Sequence, residues 1–150
     1  MNASRLLLGL ALFASASAAV ASPEAAACLP KLSKGWIRAA PPGATMLAGY
    51  ATLRNDCKAA VVLTGARSPD FMMAQVHESR IENGSSRMEH VKRVPIAAGA
   101  SFELAPGKHH LMLMHPRRAL PEGAIVKIEL LLADGRRVPA ELTVRKEPPK

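Results

Sequence analysis

Ala74–Val94 reads AQVHESRIENGSSRMEHVKRV, and its centre decides the fold. Asn83-Gly84 lies between two arms, Ala74–Ile81 and Arg87–Val94. A tight hairpin turn of the I′ type needs positive φ at both central residues, which Asn and Gly adopt with little steric penalty. The stretch therefore predicts a β-hairpin with its loop at Glu82–Ser86. Working outward, the same pattern recurs. Asp134-Gly135 separates Ala124–Ala133 from Val138–Arg145, a second hairpin signal. Met46–Arg54, Ala59–Leu63, Ser101–Leu104 and His110–Met114 are short strand-like runs, punctuated by Pro41-Pro42-Gly43, Asn55-Asp56 and Pro106-Gly107-Lys108. Helix-period stretches are absent. Seven or eight short strands in about 110 residues predict an all-β sandwich. Its core candidates are Ala51, Leu53, Val62, Leu63, Phe102, Leu104, Leu111, Leu113, Ile128, Leu130, Leu132, Leu142 and Val144.

The first segment stands apart. Arg5 precedes the apolar run Leu6–Phe13, and small residues continue to Ala19-Val20-Ala21. A basic start, a short apolar run and a small-x-small site describe a cleaved export signal, expected over residues 1–21. The run is shorter than the roughly 20 residues a membrane span needs. Ile125–Ala133 is interrupted by Lys127 and Glu129, so no transmembrane segment is expected. A lipoprotein reading, with Ala25-Ala26-Ala27 before Cys28, is the minor alternative. Residues 22–150 are expected to form one domain in the periplasm. Residues 22–34 read as an N-terminal arm and 146–150 as a frayed tail.

Cys28 and Cys57 are the two cysteines of the chain. In an oxidising compartment an isolated pair most often forms a disulfide. Closing a loop of this length contributes about 3.6 kcal/mol in the chain-entropy model. A metal-binding or redox pair would more commonly be closely spaced, as in C-x-x-C. The formal net charge is +8, but the basic residues are scattered and aromatic residues make up 3% of the chain. That leaves no stacking platform for bases, so no nucleic-acid partner is expected.

All five histidines, and five of the seven methionines, fall within residues 72–115. Four of these side chains make a pattern: His77, Met88 after ten intervening residues, His110 after twenty-one more, then Met112. His77 and Met88 lie on the two arms of the hairpin and are expected to face each other. His110 and Met112 are two apart on one strand, so they share a face. Thioether sulfur is soft and imidazole borderline, which suits Cu(I) and suits Mg²⁺ or Ca²⁺ poorly. Zinc prefers His, Cys and carboxylate. Any one of these methionines alone would be read as core filler, and His77 alone as an ordinary hydrogen-bonded histidine. The combined spacing is what carries weight.

That spacing, His-x10-Met-x21-His-x-Met, resembles the signature of the periplasmic PCuAC copper chaperones. The likeness extends to Trp36–Gly43, to Gly49-Tyr50-Ala51-Thr52-Leu53, and to Pro106–Met114 (PGKHHLMLM). The resemblance implies a cupredoxin-like Greek-key β-sandwich of about seven to nine strands. It implies an exposed Cu(I) site held by His77, Met88, His110 and Met112. It also implies delivery of copper towards the CuA centre of cytochrome c oxidase. The implied partners are a Sco-type thiol protein and oxidase subunit II, with the protein itself a monomer. Three positions depart from the family pattern. Ser79 stands where the family often has the Met of His-Glu-Met, His90 replaces the second Met of Met-x-Met, and His115 replaces a Gly. These departures make His90, His109 and His115 candidates for a secondary Cu(II) site.

Other functions fare worse. A blue-copper electron carrier needs a Cys thiolate beside two His, and no Cys lies near His110. No Gly-x-Ser-x-Gly or His-Glu-x-x-His motif is present, and no enzyme activity is expected. A copper-sequestering tolerance protein and a metal-free interaction sandwich remain the alternatives.

Overall fold

The computed structural model describes residues 28–150. The expected signal segment lies outside them. Among the described residues there is no helix, and ten strands follow one another. They are β1 (Lys31–Arg38), β2 (Met46–Arg54), β3 (Val61–Arg67), β4 (Phe71–Glu82), β5 (Ser85–His90), β6 (Val94–Ile96), β7 (Ser101–Leu104), β8 (His109–Pro116), β9 (Ile125–Leu132) and β10 (Arg137–Arg145).

The all-β expectation holds, with two strands more than the sequence pattern revealed. Lys31–Lys34 of the expected arm belongs to β1. The sequence KLSKGWIR hides this strand because a bulge interrupts its alternation. The register against β2 shifts between Ser33 and Trp36, with Lys34 at φ 52°. The other additional strand, β6, is three residues long with a proline at its centre.

Seven strands close into a barrel in the order β4-β8-β2-β1-β10-β9-β3, and β3 returns to β4 through the pair Ala66↔Ala74. All neighbours in the ring are antiparallel except β1 and β10, which run parallel. β5 extends the sheet beyond β4, and β6 beyond β3.

The interior is aliphatic. Ile37, Leu53, Leu63, Val76, Leu111, Leu113, Val126, Ile128, Leu130, Leu142 and Val144 are fully buried. Most expected core positions are confirmed. Val62 is corrected: Val61 and Leu63 on either side of it are buried, while Val62 itself is half-buried. Phe102 is also only half-buried and packs its ring against His109 at the end of the barrel.

Cys28 and Cys57 are bridged, with Cα atoms 5.8 Å apart. Next to the bridge, Asn55 is fully buried, although its sequence context suggested an open turn. Its Nδ2 donates to the carbonyls of Ala59, Ile96 and Ala97 at 3.0–3.1 Å. Its Oδ1 accepts from the Cys57 backbone N–H at 3.2 Å. One side chain thus ties the 55–61 loop to the end of β6.

β7 and β8 run in line along β2, but not continuously. Leu104 pairs with Ala51 and Leu111 with Gly49. Between those pairs β2 contributes Tyr50 alone, while the opposite side inserts the turn 105–108. In that turn the Lys108 N–H donates to the Ala105 carbonyl, and the Ala105 N–H donates to the His109 carbonyl. This interruption raises Pro106 and Gly107 beside β2 and sets His110 at the foot of the turn.

Candidate metal centre

Strand pairing places the four predicted donors on one face. β4 is flanked by β5 and β8. His77 stands opposite His90 on β5 and opposite His110 on β8. Ser79 pairs with Met88, and Gln75 pairs with Met112. Directly paired residues share a face, as do residues two apart on a strand. His77, Met88, His110 and Met112 therefore all project outward, while Val76, Leu111 and Leu113 between them enter the core.

One expectation is corrected. Met88 does not face His77 across the hairpin. The turn is two residues long, with Asn83 at φ 51° and Gly84 at φ 75°, so Glu82 pairs with Ser85. That register sets Met88 diagonal to His77. Diagonal neighbours lie about 7–8 Å apart, within reach of a long thioether.

The two imidazoles have ring centroids 6.0 Å apart. Two imidazoles on one ion, with metal–nitrogen bonds of about 2 Å, place their ring centres roughly 5–6 Å apart. The hydrogen bonds fix which nitrogen is free on each ring. His110 Nδ1–H donates to the Lys108 carbonyl at 3.3 Å, leaving Nε2 with its lone pair. His77 Nε2–H donates to Gln75 Oε1 at 3.1 Å, leaving Nδ1 with its lone pair. That Nδ1 is buried and meets no hydrogen-bond partner. Outer partners of this kind set the tautomer and orientation of metal-binding histidines. Burial, and then the neighbouring His110 and His90 rings, push the His77 pKa below its ordinary value. The ring is thereby held in the neutral form that offers a lone pair.

Met88, His110 and Met112 line one cleft of about 350 Å³, together with Arg38, Ala48, Tyr50, Ser79, Pro106 and Gly107. His77 is not among the lining residues and adjoins the cleft through His110. The donors differ in exposure: His110 is 5% accessible, Met88 57%. Among the described residues no three His, Cys, Asp or Glu side chains form a metal-holding group. Any four-donor site here therefore includes thioethers, and it favours a soft ion.

Arg38 and Tyr50 were not singled out from the sequence as site residues. Trp36 packs against Tyr50 with centroids 4.8 Å apart and the rings tilted by 38°, and the Arg38 guanidinium lies 5.9 Å and 5.7 Å from the two ring centres. This cation–π contact holds a positive charge at the cleft wall. It depends on β1 lying beside β2, and β1 was the concealed strand.

The secondary candidates do not converge. His90 stacks against His77 with centroids 5.6 Å apart, on the side away from His110. His109 packs edge-on against Phe102 and lies 3.9 Å from the Glu78 carboxylate. His115, at φ 52°, sits at the far end of β8 and borders a different cleft with Thr45 and Leu120. A wider cleft, about 930 Å³, lies on β3, β9 and β10 around Lys127 and Glu141, lined by no histidine.

Comparison with known proteins gives concordant results. The model of a family described as "Putative lipoprotein LpqE-like" matches residues 31–144. A protein of Leifsonia xyli subsp. xyli, itself described as a "putative lipoprotein", is 32% identical over 77% of this chain and 69% of its own length. The copper-bound PCuAC domain of PmoF2 superposes with a TM-score of 0.65 over 79% of this chain and 93% of that domain, at 21% identity, a likeness of fold. The Cu(I) form of DR1885 from Deinococcus radiodurans superposes with a TM-score of 0.61 over 75% of this chain and 76% of that one, at 30% identity.

Proposed function

Because the chain belongs to the LpqE-like family, of the PCuAC type, we propose that it is a copper chaperone that carries Cu(I) on His77, Met88, His110 and Met112. The observation that carries this reading is the buried, unpartnered Nδ1 of His77 beside His110. A buried polar atom without a partner is unfavourable by about 1–3 kcal/mol. Here a metal ion would relieve it. The copper-bound relatives of the same fold support the same cargo.

Carriage needs release as much as binding. Met88, on the exposed edge of the site, is the donor that an incoming ligand displaces first. His110 is buried and holds the ion until last. Thioethers carry no proton, so exchanging Met88 or Met112 for an incoming ligand needs no proton transfer. The positive charge of Arg38 opposes a further positive charge in the cleft and so favours Cu(I) over Cu(II).

The receiving partner we propose is the CuA assembly route of cytochrome c oxidase, with a Sco-type thiol protein or subunit II taking the ion. A basic chain of formal charge +8 suits an acidic docking surface. We place the protein outside the cytoplasm, where a disulfide persists. The Cys28–Cys57 bridge engages the sulfur that lipid attachment at Cys28 would use.

Anaerobic titration with Cu(I) against a chromogenic chelator tests the site. One tightly held equivalent is expected, weakened at least about a hundredfold in Met88→Ala/Met112→Ala. Equal competition by both proteins would remove these residues from the role.

A further inference from the structure

A second group of soft donors lies on the same sheet face, further along β8. Met114 pairs with Met73 on β4 and with Met46 on β2. The three side chains form a row across three strands and project outward, since Ala74, Leu47 and Leu113 beside them are buried. Directly opposed residues have Cβ atoms about 4.5–5.5 Å apart, so three flexible thioethers in one row can close on a single point.

Their exposure needs a reason. Met46 is 58% and Met73 49% accessible. Of the six exposed large hydrophobic side chains among the described residues, four are methionine: Met46, Met72, Met73 and Met88. Leu or Ile would serve an ordinary apolar patch equally well. What methionine adds, besides a more flexible chain, is a soft lone pair. The row is also continuous with the histidine site: Met112 and Met114 are two residues apart on β8, about 7 Å along the strand.

We propose that Met46, Met73 and Met114 form a second Cu(I) site, built of thioethers alone, from which the ion passes to Met112. Three neutral sulfurs hold a soft monovalent ion without any change of oxidation state or protonation. With no imidazole and an open outer side, this site binds more weakly than the histidine site, as a point of first capture should. The inference rests on the proposed function for the arrival of Cu(I) and for the destination Met112. The three donors themselves are independent of that reading.

The experiment is an anaerobic Cu(I) titration of the protein carrying ¹³C-methyl methionine, followed by NMR, beside Met46→Leu/Met73→Leu/Met114→Leu. Leucine keeps the volume and apolarity of the row. The wild type should take a second, weaker equivalent that shifts the methyl signals of Met46, Met73 and Met114. The triple variant should lose that equivalent while its first is held within about twofold. A wild type that stops at one equivalent, a triple variant that still takes two, or row methyls unmoved by copper would each overturn the proposal. So would row methyls that shift with protein concentration alone, which would assign the row to contact between copies. Loss of the first equivalent in Met88→Ala/Met112→Ala reports on the histidine site separately. The two readings therefore fail in different places. The wild-type spectra also decide the matter should the triple variant not fold.

Discussion

Asn55, fully buried, and His77, half-buried with a buried Nδ1, have opposite treatments in this barrel. Asn55 has both side-chain polar atoms engaged, in four hydrogen bonds to the backbone of the 55–61 and 96–97 segments. His77 has one ring nitrogen engaged by Gln75 and the other buried with no partner. The first arrangement is what a fold requires of a polar group taken out of water. The second leaves binding capacity in reserve for a ligand. The contrast separates a residue that stabilises the molecule from one that equips it.

Substitutions at the two positions should therefore move different observables. Asn55→Leu removes four hydrogen bonds; the Ala97 carbonyl keeps the Ala100 N–H, and with the other three groups losing about 1 kcal/mol each, a loss of about 3 kcal/mol of stability is expected. Chemical denaturation would measure it, and Cu(I) affinity of the folded variant should be unchanged. A stable Asn55→Leu protein would break the comparison from the structural side. His77→Ala should do the reverse. Its unfolding free energy should stay within about 1 kcal/mol of wild type, while Cu(I) affinity falls about a hundredfold, equivalent to about 2.7 kcal/mol. A large stability loss with binding intact would return His77 to the structural class. Gln75→Leu sharpens the contrast with a smaller effect. It frees His77 Nε2 to take the other tautomer, and loss of such an outer partner weakens metal affinity about tenfold. Chelator competition would show it, and no change would mean that Gln75 does not orient the ring.

Much of this was legible in local sequence. The Asn83-Gly84 turn announced its hairpin, and β2 and β7 begin and end where the apolar runs do. The donor set was legible because strand periodicity fixes faces. The pairing within the hairpin was not. A five-residue loop was read where the turn takes two: the longer loop would set Val91 opposite His77, and the two-residue turn sets His90 there and brings Met88 onto the face of His77. β1 escaped because its bulge breaks the alternation and one of its two partners, β10, lies at the other end of the chain. With β1 hidden, the Trp36–Tyr50–Arg38 wall of the cleft was hidden too. Asn55 escaped for a related reason: its partners at Ile96 and Ala97 are remote in sequence.

The parallel pairing of β1 with β10 has a consequence in time. Trp36 pairs with Thr143, more than a hundred residues away. Contacts of such separation carry a large loop-closure entropy and form late. In a chain released N-terminus first, β1 can settle on β2 early but must wait for β10. The strands that bear the four donors, β4, β5 and β8, all precede β10. The donor face can therefore assemble while the barrel still has an open seam, and the last strand to arrive locks a site whose ligands are already in register.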